Sequence, residues 1–324
     1  MTRPITVADA IRIAALGGPD WAINPWGAAW GGHRLFSPAG FMWEHLRARP
    51  RGAAWVAGKG IKASGLASAR PRSGPTAWVV DHLVTPRHDE GPCCELLEMA
   101  AVHAGRRGAE RLFLQLLDDG QLVEMVRPSG FVPCAQVLLF TSPGQSPLLG
   151  MEPVSGLRKR EPSDDLPLFR LYNATTPADV RSGIGVTLGQ WKDAQEPRRR
   201  GTQELVLEER DGLKGWMRLD IHNRWTTARL SIQPGWEGDI RSLVALAQKE
   251  SGARVLWWEV PESDGGIRLV LERAGFEATG SYRLMVKFLA VRVKKPVLAT
   301  APTTGYQSNY GFISYNSHHH IRRL

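Results

Sequence analysis

The stretch VVDHLVTPRHDEGPCCELLEMAAVHAGRRGAERLFLQLL, residues 79–117, sets the architecture of this chain. It opens on an apolar, β-branched run that completes a predicted strand over 77–84. Pro92 suits the first position of a helix. The apolar residues that follow recur at i, i+3 and i+4 until Gly108, which is placed to end the helix. RLFLQLL (111–117) then predicts a second strand, so the predicted order is strand, turn, amphipathic helix, strand.

The same order of motifs recurs in the C-terminal part of the chain. ARLSIQP (228–234), DIRSLVALAQKESGA (239–253) and RVLWWEV (254–260) again predict a strand, a helix and a strand. A Gly-Phe pair precedes the last strand of each copy. The glycines of the two pairs, Gly130 and Gly275, lie 145 residues apart. Because self-similarity at a fixed period marks a repeated structural unit, the sequence predicts a duplicated domain of about 140 residues.

The length of 324 residues suits two domains of ordinary size. We place the first domain at 1–141 and the second at 168–295. Residues 142–167 are rich in Pro, Gly and Ser without apolar periodicity, which is typical of a linker. Residues 296–324 are polar and aperiodic, which predicts a disordered tail.

The composition, 43% apolar and 23% charged, is that of a globular protein. The first 18 residues carry Asp9 and Arg12 within their apolar stretch and make a poor signal peptide. The uncharged run from 128 to 151 is interrupted by Pro and Gly, so it cannot cross a bilayer as a helix. We therefore expect no membrane partner and a cytoplasmic location.

Neither a metal site nor a nucleic-acid partner is expected. The three cysteines lack disulfide or zinc spacing, and three consecutive histidines at 318–320 point in different directions without a scaffold. The net charge of +9 permits an acidic ligand or a nucleic acid. It comes partly from short arginine runs that are typical of solvated loops, so a small-molecule partner is favoured.

The order strand, phosphate-loop turn, amphipathic helix, strand, short helix, Gly-Phe, strand resembles the GCN5-related N-acetyltransferase superfamily, in which tandem copies also occur. Both halves, residues 2–141 and 168–295, are similar to that fold. The resemblance implies an α+β protein of two tandem acetyltransferase-like domains, each a mixed, mostly antiparallel twisted sheet flanked by helices. It also implies acetyl-CoA as co-substrate, held between the fourth and fifth strands, and a small amine as acceptor.

In the family, a turn of the form (Gln/Arg)-x-x-Gly-x-(Gly/Ala) presents successive N–H groups to the pyrophosphate of acyl-CoA. The matching positions here are His88, Gly91 and Cys93, of which only Gly91 matches fully. Arg87 and a protonated His88 would add positive charge. The resemblance thus assigns cofactor binding to the first half.

Three neighbouring residues oppose phosphate binding. Asp89 and Glu90 would repel the diphosphate, or cap the helix and occupy its donors, and Pro92 removes one N–H. A self-capped helix start and a tolerant CoA loop both remain open. The second half, with QPGWEGDIRSL (233–243) at this place, has neither the Gln/Arg nor the small residues and is predicted to be degenerate.

Two residues of the fourth strand are candidate general bases for the amine. The two-residue period of a strand predicts that Asp81 and His82 lie on opposite faces, so that one of them faces the cleft. An imidazole titrates near neutrality without tuning, whereas Asp81 would need burial; a simply packed histidine is the other interpretation. The resemblance implies that a backbone N–H near Leu83 and Val84 holds the oxyanion.

The tyrosine that often protonates the departing thiolate in the family, about four residues before Gly-Phe, is replaced by Val126 and Leu271. Two functional hypotheses follow. The first is N-acetylation of a small amine, with acyl-CoA bound by the first half. The second is an inactive acetyltransferase fold that binds a ligand or a protein partner.

Overall fold

The computed structural model describes residues 2–14, 16, 21–23, 41, 52–59, 62–86, 89–118, 120–142, 154–236 and 238–290. Arg87, His88 and the predicted tail at 296–324 lie outside these ranges. The described chain has the predicted α+β architecture of a mixed sheet with flanking helices. Within the same ranges, no helix is both long and apolar enough to cross a membrane.

The elements of the first half follow the predicted order. Its described strands are β1 (Thr2–Pro4), β2 (Trp21–Ile23), β3 (Ala53–Lys59), β4 (Lys62–Pro71), β5 (Ala77–Pro86), β6 (Arg111–Leu117) and β7 (Val132–Thr141). Its described helices are α1 (Ala10–Ala14), α2 (Glu90–Arg106) and α3 (Gly120–Val126).

The second half begins with a helical insertion before its own strands. Its described strands are β8 (Leu157–Lys159), β9 (Thr202–Glu209), β10 (Gly212–Ile221), β11 (Trp225–Ile232), β12 (Val255–Pro261) and β13 (Glu277–Phe288). Its described helices are α4 (Asp165–Thr175), α5 (Ala178–Ile184), α6 (Leu188–Asp193), α7 (Ile240–Ser251) and α8 (Gly265–Arg273). Strand β8 pairs with β9, so the segment 142–167, predicted as a linker, also contributes to the sheet.

Helix α2 shows how the local sequence pattern becomes structure. It begins at Glu90, two residues earlier than Pro92 predicts, because Asp89 acts as the N-cap and accepts a hydrogen bond from the Gly91 N–H. Just past its last turn, Gly108 has φ +87°, the left-handed conformation that ends many helices. The predicted apolar stripe is buried: Leu96, Leu97, Ala100, Ala101 and Ala104.

The two halves share one sheet and exchange their last strands. The order across the sheet is β1-β3-β4-β5-β6-β13-β7-β12-β11-β10-β9-β8, with β2 paired to β5 off this path. Strand β13, from the second half, lies antiparallel between β6 and β7 of the first half. Strand β7 in turn pairs with β12 of the second half. Each half therefore receives a strand from the other.

The exchanged strands connect two hydrophobic cores. Phe131, just before β7, is buried beneath α2 in the first core, whereas Phe140 near the end of β7 is buried in the second. Phe276, just before β13, is buried in the second core, whereas Met285 within β13 is buried in the first. Each Gly-Phe pair thus anchors a strand in its own half, and the far end of that strand completes the core of the other half.

Candidate active site

The parallel strands β5 and β6 separate part of the way along the sheet. They pair only from Ala77 opposite Arg111 to Val80 opposite Leu114. Beyond that point β5 continues beside β4 as far as Val84, while β6 continues beside β13. The separation starts at a β-bulge, because Ser68 of β4 faces His82 while its neighbour Ala69 faces Val80. Asp81 is the extra residue of the bulge.

The bulge brings the two candidate bases to the same side, which makes the prediction of opposite faces wrong. Asp81 and His82 line one pocket of about 350 Å³. A one-residue bulge interrupts the two-residue alternation, so consecutive side chains share a face. Asp81 pairs with the Arg70 guanidinium at 2.8 Å, and His82 Nδ1 lies 2.9 Å from Ser68 Oγ with its ring edge-on to Phe41.

The pocket is closed on its other side by the second half, which contributes groups that the sequence did not single out. His222 stacks on Trp225 with ring centroids 5.2 Å apart, and burial lowers the pKa of His222. Burial acts to raise the pKa of Asp220, but hydrogen bonds from Arg218 outweigh it and hold the pKa below its usual value. A neutral imidazole from the second half therefore lies in the same pocket as Asp81.

The predicted oxyanion residues have contrasting surroundings. The side chains of Leu83 and Val84 are buried in different clusters. The far edge of β5, from Val84 to Pro86, pairs with the short strand β2, Ile23 lying opposite Val84. An extended ligand lying along this edge would have to replace β2, whereas Leu83 lies before that pairing begins.

The start of α2 is capped by its own chain. Asp89 Oδ1 accepts the Gly91 N–H at 3.1 Å, which takes the donor of the one phosphate-loop position that matches fully. Cys93 is fully buried among the core residues, and burial raises the pKa of its thiol to about 12. This geometry favours the self-capped interpretation of the helix start, and Cys93 contributes packing and no reactive thiolate.

The corresponding gap in the second half is bridged by charged side chains. Strands β11 and β12 pair only as far as Ala228 opposite Trp258. At the next positions Arg229 donates to Glu259 at 2.6 Å, and Glu259 also accepts from the Tyr282 hydroxyl at 2.9 Å. Helix α7 is capped by Asp239, which accepts the N–H of Arg241 as Asp89 does that of Gly91.

Arg229, Glu259 and Gln115 were not predicted from the sequence, although a signal was present for Glu259 and Gln115. Glu259 follows two tryptophans within an apolar strand, and Gln115 is the one polar residue between Leu112 and Leu117. A polar residue inside an apolar strand is buried on one of its faces and needs a partner there. Both are indeed buried, Glu259 at 4% and Gln115 at 8% exposure.

No family model matches the amino-acid sequence, and no curated protein does. Solved structures do. A GCN5-related N-acetyltransferase from Sphaerobacter thermophilus is similar over 91% of this chain and 97% of its own, with a TM-score of 0.55 and 19% identity. A tandem protein of this fold from the clavulanic acid biosynthesis pathway is similar over 89% of this chain and 98% of its own, with a TM-score of 0.50 and 13% identity.

A third similar structure is that of a candidate acetyltransferase from Pyrococcus horikoshii, with a TM-score of 0.53, 14% identity and 91% of both chains covered. Identities this low establish a shared fold and leave the substrate open. The separation of the parallel strands β5 and β6 and the duplicated order of elements agree with this likeness. The chain has the fold of the GCN5-related N-acetyltransferases in its tandem arrangement.

Proposed function

We propose that the first half transfers an acetyl group from acetyl-CoA to the amine of a small molecule. One observation carries the proposal: the parallel strands part at a bulge that places Asp81 and His82 side by side on a pocket shared by both halves. A thioester in the gap between β5 and β6 and an amine in the pocket would meet at these two residues.

In this reaction a neutral amine attacks the thioester carbonyl and loses one proton. The thiolate of CoA leaves and takes up one proton to become the thiol. The carboxylate of Asp81 is already paired with the Arg70 guanidinium. His82 is therefore the better acceptor for the proton of the amine. In the tautomer that donates Nδ1–H to Ser68, the other ring nitrogen, Nε2, is the basic atom. Consecutive residues of a strand direct their N–H groups to opposite edges, so one of Leu83 and Val84 faces the gap and is suited to hold the oxyanion.

Two contacts must give way for acetyl-CoA to bind in this manner. The pyrophosphate needs the start of α2, where Asp89 now accepts the Gly91 N–H. The pantetheine arm needs the edge of β5 that β2 covers from Val84 onward. One contact is a single cap hydrogen bond and the other is the pairing of a three-residue strand, so a tightly bound ligand can displace them.

The test is release of CoA from acetyl-CoA with a panel of small amines, for the parent protein and for His82→Gln, Asp81→Asn and Glu98→Gln. We expect a loss of at least tenfold in kcat for His82→Gln, because the variant lacks the group that accepts the proton of the amine. Glu98 is exposed on α2, and its variant should behave as the parent does. Unchanged rates in both pocket variants would refute these assignments.

A second candidate function is ligand binding without catalysis. The acid caps Asp89 and Asp239 close both helix starts, the Arg229–Glu259 pair bridges the second gap, and β2 covers part of the first. This hypothesis predicts that no amine in the panel gives steady CoA release. It also predicts that acetyl-CoA does not bind in calorimetric titration.

A further inference from the structure

A second cavity, of about 580 Å³, lies between the centre of the sheet and the helical insertion of the second half. Its floor is made by residues of the exchanged strands β7 and β13 together with β11 and β12. Its roof is made by α4, α5 and α6. The volume is in the range of small-molecule sites. Both halves are needed to form the cavity, because the strand exchange creates its floor.

Several side chains that line this cavity carry a polar atom without a hydrogen-bond partner in the described part of the chain. Three of these atoms are N–H donors, Arg72 Nε, Arg160 Nε and Trp216 Nε1. Two are acceptors, Gln115 Oε1 and Glu259 Oε1. The side chain of Glu259 is 2% exposed and that of Arg72 is 9% exposed.

Buried polar atoms without a hydrogen-bond partner destabilise the folded protein when the cavity is empty. A buried donor or acceptor without a partner has lost its hydrogen bonds to water without replacement, and native proteins contain few of them. Five in the lining of one cavity therefore call for a ligand or for ordered water as the missing partner. Because both donors and acceptors are unpaired, that partner must itself offer both kinds of group.

The charges around the cavity define the net charge of the partner. Each arginine in the lining forms an ion pair with a carboxylate, in the pairs Arg72–Glu196, Arg160–Glu204, Arg229–Glu259 and Arg283–Asp118. The other carboxylates of the lining are not buried with them: Asp179 and Glu262 are exposed, and Asp264 is half-buried and accepts the Ile267 N–H at the start of α8. The buried charges of the cavity therefore balance. A ligand with a net charge would bring an uncompensated charge into a buried site, at high cost. A ligand with zero net charge avoids that cost.

The roof adds an apolar and aromatic surface. Leu168 and Leu171 of α4 are buried there, and the Tyr172 and Trp191 rings lie with centroids 6.0 Å apart. The Tyr172 hydroxyl is already bonded to the Gly185 carbonyl, so its ring is held in place. Flat aromatic walls of this kind favour an apolar or aromatic body in the ligand.

We propose that the central cavity binds a small molecule of zero net charge with an ammonium and a carboxylate on an apolar or aromatic body, an aromatic amino acid being the simplest case. The acceptors Glu259 and Gln115 suit the ammonium group, and the donors Arg72 and Trp216 suit the carboxylate. The proposal does not rest on the proposed acetyl transfer, since its test uses no acyl-CoA, although the cavity shares Glu196 and Arg229 with the pocket of Asp81 and His82.

The test is calorimetric titration of the full chain, without acyl-CoA, with L-tryptophan, tryptamine and indole-3-propionate. Tryptophan keeps both charges, tryptamine lacks the carboxylate and indole-3-propionate lacks the ammonium group. We expect tryptophan to bind at least tenfold more tightly than either analogue. The proposal would be overturned if tryptamine or indole-3-propionate bound as tightly as tryptophan or more tightly. It would also be overturned if none of the three compounds bound at millimolar concentration.

Matched variants separate a ligand site from a water-filled cavity. Gln115→Leu removes an unpaired acceptor, so it should raise the thermal midpoint of the free protein and weaken tryptophan binding at least fivefold. Thr226→Val is the control: Thr226 is fully buried, its Oγ1 is also unpaired within the described residues, and it does not line the cavity. It should leave binding unchanged. Parent-like binding by Gln115→Leu would mean that only water fills this part of the cavity.

Discussion

Phe140 and Met285 each complete the hydrophobic core of the other half of the chain. Phe140 lies near the end of β7 in the first half and is fully buried in the second core. Met285 belongs to the last strand of the second half and is fully buried in the first core. Because of this exchange, neither half holds all the residues of its own core. The two halves are therefore expected to unfold together.

Met285→Ala should lower the free energy of unfolding by about 2 to 5 kcal/mol, the usual cost of removing a buried side chain of this size. Urea unfolding followed by tryptophan fluorescence and by circular dichroism should give one coincident transition in both the parent and the variant. Val132→Ala, at a position that is 47% exposed in β7, should change the stability by less than about 0.5 kcal/mol. Two separate transitions would contradict the coupling of the cores.

Asp89→Asn should strengthen acetyl-CoA binding. Asparagine can still cap α2, but it removes a negative charge that lies beside the expected diphosphate position. A charge at a helix start changes the free energy by about 0.3 to 1 kcal/mol, which corresponds to roughly a two- to fivefold change in Kd. Calorimetry measures the effect, and Asp239→Asn at the start of α7 is the matched control with no change expected. If Asp89→Asn and Asp239→Asn changed the Kd equally, the start of α2 would not be part of the acetyl-CoA site.

Glu196 should make the protein sensitive to acid. Burial acts to raise its pKa, but Arg72 and Arg70 outweigh it and hold the pKa at about 2. A folded-state pKa below the unfolded value of about 4.3 contributes stability that is present above that pH and is lost as the pH falls toward 2. The loss is on the order of 3 kcal/mol.

Glu196→Gln should therefore lower the stability at neutral pH and flatten the decline between about pH 4 and pH 2. Urea unfolding across this range measures both effects. Glu124→Gln, which removes an exposed carboxylate on α3, should follow the parent curve. A decline as steep in Glu196→Gln as in the parent would show that other carboxyl groups cause it.

Cys93 and Cys134 should resist thiol reagents in the folded protein. Burial raises the pKa of Cys93 to about 12 and that of Cys134 to about 11, so almost no thiolate is present at pH 8. In a Cys94→Ser variant, which leaves these two thiols, labelling by a disulfide reagent should be slow in buffer and complete in guanidinium chloride. Rapid labelling of Cys93 in buffer would mean that the start of α2 opens readily.

The local elements were predictable because their causes lie within a few residues of each other. The apolar stripe of α2, its end at Gly108 and the duplicated order of strands and helices follow from spacing along the chain. The cap at Asp89 is one of the two interpretations that the local sequence leaves open. The fold class followed from these elements together.

The site depends on contacts between residues distant in sequence, and spacing does not encode them. Arg72 and Glu196 form an ion pair across 124 positions, and Tyr282 bonds Glu259 on a neighbouring part of the sheet. The bulge at Asp81 depends on how β4 and β5 align, and it overrides the alternation that predicted opposite faces for Asp81 and His82. The strand exchange depends on whether β7 and β13 pair with the edge of β6 or with the edge of β12. In the folded protein β13 pairs with β6 and β7 pairs with β12, so each edge receives the strand of the other half. The far end of each exchanged strand is then buried in the hydrophobic core of that other half.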